Sequence, residues 1–99
     1  MTTKAEKQHM GRLAELGCAL TWFKFRQWAE AEVHHTRTGT GAARKSSPFD
    51  AIPLTPNYHR LGNEAFHVMG RRAWERHHGV TEMELLEQTR ERLGIKAAA

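Results

Sequence analysis

Two adjacent histidines, His34 and His35, end a short run at residues 31–35 that has the character of a strand. Neighbouring side chains on a strand project to opposite sides. The pair can therefore divide two tasks, one imidazole holding a metal ion and the other taking up a proton. Asp50, His59 and His67 are the other residues able to complete such a site. Imidazole binds transition metals in its neutral form, and the nitrogen that does not bind fixes the tautomer through its own hydrogen bond. A strand ending at His34 and His35, packed against a helix carrying His59, can bring these rings within ligand range. Asp50 could brace the loop between them. Spacing by itself is weak support, because single histidines are more often surface or hydrogen-bonded core residues.

The elements that must position these groups can be read in order. Residues 1–17 form a helix with Met10, Leu13, Ala14 and Leu16 near helical spacing. Gly17 ends it, and the thin apolar stripe places it on the flank of the domain or on a partner. Residues 18–30 hold Trp22, Phe23, Phe25 and Trp28, four of the eight aromatics. Phe23 and Phe25 alternate with Lys24 and Arg26 as in a strand, whereas Trp22, Phe25 and Trp28 fit a helix. The segment reads as core, the alternative being aromatics set among cations to stack on bases.

Residues 36–48 form a loop rich in glycine, serine and threonine that carries Arg37, Arg44 and Lys45. It is either a solvated connection or a phosphate-gripping loop. Residues 49–54 read as a second strand, confined by Pro53 to an edge or a strand end. Thr55 and Pro56 suit the N-cap and first position of a helix, which runs through Leu61 and stops at Gly62. Residues 31–62 thus form a ββα unit. A basic helix follows at residues 70–78, with Arg71, Arg72 and Arg76, Trp74 as core anchor and Gly79 as its end. His77 and His78 read as C-terminal residues favoured by the helix dipole. Thr81 and Glu84 fit a capping box for the last helix, with Leu85, Leu86, Thr89 and Leu93 on its buried stripe.

The 99 residues make one small domain, a helix at 1–17 followed by 18–99. Fifteen basic and eleven acidic residues give a net charge of +4, a mild preference for polyanions. Cys18 is the sole cysteine, which excludes an intrachain disulfide and a cysteine-only zinc site. The chain has no apolar run near 18 residues, so no membrane span is expected. The expected location is the cytosol.

The ordered blocks are EVHH at 32–35, a Gly/Ser/Arg loop, Asp50, IPLTPNYHR at 52–60, FH at 66–67 and AWERHHG at 73–79. Together they resemble the HNH, or ββα-metal, nucleases. More narrowly, they resemble the phage recombination-enhancement family of RecA-dependent nucleases and related prophage HNH proteins. The resemblance covers roughly residues 17–93. It implies an α+β fold, a small ββα-metal core with flanking N- and C-terminal helices, and a divalent metal ion (Mg, Mn, Ni or Zn). It implies His34, His59 and His67 as metal ligands and His35 as the general base. Asp50 then steadies the loop and the base, and Arg60 helps to neutralise the phosphate. Arg37, Arg44, Lys45, Arg71, Arg72 and Arg76 become candidates for holding DNA by charge. The implied partners are DNA and a recombinase filament, and the implied activity is phosphodiester hydrolysis in phage or prophage recombination or DNA processing.

The chain departs from the family pattern at Cys18, Thr21, Thr55 and Tyr58, where relatives often carry four ligands of a structural zinc. One cysteine cannot hold that ion, so no structural zinc is expected and packing should fill the corner. A non-catalytic nucleic-acid-binding accessory protein that keeps the fold is the alternative function.

Overall fold

A computed structural model describes residues 2–38 and 47–95; Arg44 and Lys45 lie outside the described residues. The chain enters helix α1 (Lys4–Leu16) through a capping box. The Thr3 hydroxyl accepts from the Glu6 N–H at 3.1 Å, and the Glu6 carboxylate accepts from the Thr3 N–H at 2.9 Å, which satisfies two N–H groups at the helix start. The helix buries His9 and Leu13. The expected stripe is only partly used, since Met10 and Leu16 are half-buried and Ala14 is exposed.

Gly17 ends α1 at φ +85°, a conformation that costs a side chain. The space is also taken: a Cβ there would stand 2.5 Å from Trp28 Nε1 and 2.9 Å from the Ala29 carbonyl oxygen. Trp28 is held over this glycine by its indole N–H, which donates to the Glu15 carbonyl at 3.1 Å.

Residues 19–25 resolve as helix α2 (Ala19–Phe25), capped by Cys18, whose Sγ accepts from the Thr21 N–H at 3.4 Å. The core reading of this segment needs correction. Cys18, Ala19 and Leu20 supply its buried face, while Phe23, Phe25 and Trp28 are 39, 59 and 63 % exposed. A helix this short has one inward face, and small residues with a single leucine occupy it.

Strands β1 (Glu32–His35) and β2 (Ala51–Leu54) pair antiparallel, with Glu32 opposite Leu54 and His35 opposite Ala51. The predicted second strand is shorter than 49–54, because Pro48–Asp50 form a 3₁₀ turn capped by the Ser47 hydroxyl. Pro53 lies opposite Val33, where a two-stranded sheet leaves each strand an unpaired edge that tolerates the missing N–H. β2 is buried along its whole length, with α1 and α2 packed against it.

After β2 come two single helical turns, α3 (Pro56–His59) and α4 (Phe66–Met69), then α5 (Arg71–His78) and α6 (Glu82–Leu93). Thr55 has N-cap backbone angles but makes no side-chain cap bond. The helix expected to reach Leu61 ends at His59, where Arg60 leaves helical geometry at φ −141°. Trp74 on α5 is fully buried and donates its indole N–H to the Tyr58 carbonyl at 3.2 Å, fixing α5 against α3. The capping box at Thr81 and Glu84 starts α6 as its sequence predicts. Leu85 and Leu86 close the core with Leu20, Ile52, Leu54 and Trp74.

The chain is thus α+β, a two-stranded antiparallel hairpin among helices. Among the described residues no helix is long and apolar enough to cross a membrane.

Candidate metal centre

The hairpin register settles where the paired histidines point. His34 faces inward and is fully buried, while His35, one residue on, is exposed, as strand alternation requires. α3 delivers His59 edge-on to His34, with ring centroids 5.1 Å apart. α4 delivers His67, whose centroid is 4.8 Å from that of His59 and 5.8 Å from that of His34. One ring nitrogen from each of these three residues lies within 4.8 Å of the others. The three come from different elements, and burial falls from His34 through His59 to His67. The cluster therefore has a closed floor and an open rim.

The hydrogen bonds show which nitrogens are available. His34 Nε2 lies 2.6 Å from Glu82 Oε2, while His34 Nδ1 is buried with no hydrogen-bond partner. His59 Nδ1 lies 2.7 Å from Glu32 Oε1, and its Nε2 faces His67 Nε2 at 3.1 Å. Two of the three rings are thus backed by a carboxylate on one nitrogen, the arrangement that orients metal-binding histidines. A buried polar atom without a partner carries a desolvation penalty of about 1–3 kcal/mol; a metal ion would remove it. Two ligands about 2.05 Å from a tetrahedral ion stand about 3.4 Å apart. The 3.1 Å between His59 and His67 is close to that value, whereas the 4.8 Å limit across the cluster requires its outlying ring to swing inward by up to about 1.4 Å.

Electrostatics favour the ligand form. Burial holds the His34 imidazolium acid below its ordinary range, against the opposing pull of Glu82. Burial, with the neighbouring charges of His59 and His34, does the same at His67. Both rings are biased toward neutral imidazole, the form that coordinates. Burial pushes the Glu82 carboxyl up, but hydrogen bonds from His34, Thr38 and the Arg37 N–H outweigh it and leave it below its ordinary value.

Glu82 is the residue the sequence did not reveal. It is fully buried in the first turn of α6. Beyond His34, its carboxylate accepts from the Arg37 N–H at 2.8 Å, the Thr38 N–H at 2.9 Å and the Thr38 hydroxyl at 2.8 Å. It therefore ties a candidate ligand to the start of the segment that follows β1. Its own N–H donates to Glu75 Oε2 at 2.8 Å. In sequence it looks like a first-turn acid that favours a helix dipole. Glu32 was more accessible, since it opens the same EVHH block as the paired histidines.

The other assigned residues are placed as follows. Asp50, in the 3₁₀ turn, accepts from Arg90 Nη2 at 2.6 Å. Arg60 donates through Nε to Glu32 Oε1 at 2.7 Å, so that carboxylate serves His59 and Arg60 together and is drawn down chiefly by the arginine. Arg71 pairs with Glu75 at 3.0 Å within α5, while Arg72 and Arg76 are exposed. Arg37 is exposed and anchored through its backbone to Glu82.

His78 departs from its expected role as a helix-end cation. It is buried, lies 2.7 Å from Lys24 Nζ through Nδ1 and 3.1 Å from the Glu64 carbonyl through Nε2. An ammonium can only donate, so Nδ1 accepts and Nε2 carries the hydrogen. Burial, the largest influence, lowers its pKa. At the corner of Cys18, Thr21 and Tyr58, the thiol is buried in the core and Tyr58 packs against the same cluster.

No protein-family model matches the chain, and no curated protein matches it.

Proposed function

We propose that this protein is a divalent-metal-dependent endonuclease of the HNH, or ββα-metal, type, hydrolysing DNA phosphodiester bonds in phage or prophage recombination or DNA processing, with a recombinase filament as partner. The observation that carries this reading is the convergence of His34, His59 and His67 with the buried Nδ1 of His34 left free. The antiparallel hairpin followed by the α3 turn supports a ββα core. Three imidazoles suit a borderline ion such as Zn²⁺ or Ni²⁺ better than the oxygen-seeking Mg²⁺.

Held by these three rings, the ion would supply Lewis-acid stabilisation of the charge that develops on the phosphate and the leaving oxygen. His34 and His59 are held in place by Glu82 and Glu32, so the chain presents ligands that need little ordering. His35, exposed on the opposite side of β1 from His34, is the proposed general base, accepting the proton of the attacking water on a ring nitrogen. Arg60, fixed through Nε to Glu32, is proposed to meet the phosphate with its remaining N–H groups. Asp50, ion-paired with Arg90, is proposed to steady the turn before β2 and, through it, His35, which lies opposite Ala51. Arg37, Arg44, Lys45, Arg71, Arg72 and Arg76 are proposed to hold the DNA by charge.

The test is plasmid cleavage by the wild-type chain and by His35→Ala with Mg²⁺, Mn²⁺, Ni²⁺ or Zn²⁺. The expected result is metal-dependent nicking that falls by about 10²-fold or more in the variant, as for loss of a general base, with DNA binding unchanged. Absence of cleavage with every metal would falsify the reading. A second reading, a nucleic-acid-binding accessory protein without catalysis, is favoured by the engagement of both Asp50 and Arg60 in ion pairs; it predicts that same absence together with retained DNA binding.

A further inference from the structure

The last turn of α2 carries a second cluster, outside the histidine centre. Trp22 and Phe25, at i and i+3, share a face of α2, and Arg26 is its C-cap. α6 adds Arg92, whose guanidinium lies 3.9 Å from the centre of the Trp22 ring. Arg26 has a left-handed backbone at φ 55°, rare for a residue with a side chain. Its Nη1 donates to the Trp22 and Phe23 carbonyls at 2.9 and 3.1 Å. Both guanidiniums are therefore held against Trp22, one on its ring and one on its carbonyl.

Neither has a carboxylate partner among the described residues; Arg92 Nη1 is buried without a hydrogen-bond partner, so an anion would meet Arg92 through its other guanidinium N–H groups. Arg60, Arg71 and Arg90, by contrast, are all ion-paired. Burial, and then the charge of Arg26, makes the Arg92 cation harder to keep. Two adjacent cations without an anion form a site that an oxyanion would complete. Beside them Phe25 leaves 59 % of its surface exposed. The neighbouring cation of α2, Lys24, is already engaged by His78.

We infer that this face of α2 and α6 binds a single-stranded nucleic-acid segment, a phosphodiester seated at Arg26 and Arg92 and a neighbouring base stacked on Phe25. Stacking requires an unpaired base, because a duplex keeps its base faces covered. The inference rests on the nucleic-acid reading proposed above and names the strand form that reading leaves open.

The experiment is fluorescence anisotropy of labelled oligo-dT, a hairpin duplex of equal length and an abasic oligomer, in EDTA so that no cleavage intervenes. Wild type is compared with Phe25→Ser, an exposed position, with Arg92→Gln, and with Arg92→Lys, which keeps the charge and loses the flat stack on Trp22. The expected result is that oligo-dT binds more tightly than the duplex or the abasic oligomer. Phe25→Ser is expected to weaken oligo-dT about tenfold with little effect on the abasic oligomer, as for one lost base stack. Arg92→Gln is expected to reduce the salt dependence of oligo-dT binding by about 0.7 in slope, one phosphate contact on a single strand, with Arg92→Lys retaining most of that slope. Oligo-dT binding unchanged in both Phe25→Ser and Arg92→Gln overturns the inference, as does equal affinity for the abasic oligomer. Plasmid cleavage is scored separately: metal-dependent nicking without these binding effects removes this site and leaves the nuclease reading, and the reverse pattern removes the nuclease reading alone.

Discussion

Replacing Glu82 with glutamine tests the centre at the joint on which it depends. Oε1 of Glu82 accepts from the Arg37 N–H, the Thr38 N–H and the Thr38 hydroxyl, while Oε2 faces His34 Nε2 at 2.6 Å. A glutamine keeps most of these bonds only with its oxygen at Oε1 and its NH₂ toward His34. The NH₂ then donates to His34 Nε2, which must give up its hydrogen, and the hydrogen moves to Nδ1. That is the buried nitrogen without a hydrogen-bond partner, the proposed ligand atom. One isosteric change thus leaves the ring in place and puts a proton on its ligand atom. The second N–H of the amide also meets the Arg37 N–H, donor against donor. Loss of a buried charged hydrogen bond sets the stability cost at about 1.5–3 kcal/mol, or a Tm lower by about 6–24 °C at about 4–8 °C per kcal/mol for a domain of this size. The metal effect should be of similar size, about 10- to 100-fold in affinity. The assay is calorimetric titration with Ni²⁺ or Zn²⁺, with Thr38→Val as the control. That variant loses the 2.8 Å hydroxyl bond to Oε1 and some stability, but leaves the His34 tautomer alone. If Glu82→Gln binds metal as tightly as Thr38→Val does, the tautomer argument is wrong.

Three further outcomes are expected. Ni²⁺ or Zn²⁺ at about 100 times its dissociation constant should stabilise the fold by about 2.7 kcal/mol, read as a rise in Tm that EDTA reverses and His59→Ala abolishes. Gly17→Ala should cost about 1–3 kcal/mol for the positive-φ extended backbone alone, and more because the new Cβ meets Trp28 and the Ala29 carbonyl; urea midpoints measure it, and a stability equal to wild type would contradict the seat described for Trp28. The folded chain holds the His78 pKa below its ordinary value of 6.5, so the unfolded chain binds the proton first as pH falls. Stability is then full above about pH 6.5 and declines below it toward the folded pKa, by at most about 1.4 kcal/mol per pH unit for one group; urea midpoints at pH 7.5 and 5.5 measure this, and His78→Gln should reduce the difference, leaving the part that His9, His34 and His67 contribute with the same sign.

Much of the scaffold was legible because its signals are local. The capping box at Thr81 and Glu84, the glycine stop at Gly79 and the apolar pair Leu85 and Leu86 act within one or two turns and appear as their sequence predicts. Alternation on β1 put His34 and His35 on opposite faces, but which of them turns inward is decided by packing. The residues that proved illegible act across the chain. Glu82 is 48 positions from His34, and nothing near it distinguishes a buried carboxylate from a first-turn acid. His78 has the position of a dipole-favoured cation, and only packing against Lys24 and Glu64 makes it a neutral bridge. Hydrophobic type suggests burial for the aromatics of α2, whereas its inward face is filled by Cys18, Ala19 and Leu20 and leaves Phe23 and Phe25 exposed.

The bond between Glu82 and His34 also sets the smallest portable piece of this protein. The hairpin with its following turn, residues 31–62, reads as a cassette that could be cut out and grafted elsewhere. It would carry His34, His59 and Glu32 but leave behind His67 and the carboxylate that fixes His34. Any transplant of the centre must therefore run from β1 into the first turn of α6. Exchange of C-terminal segments between related chains would be tolerated only with crossovers beyond Glu82.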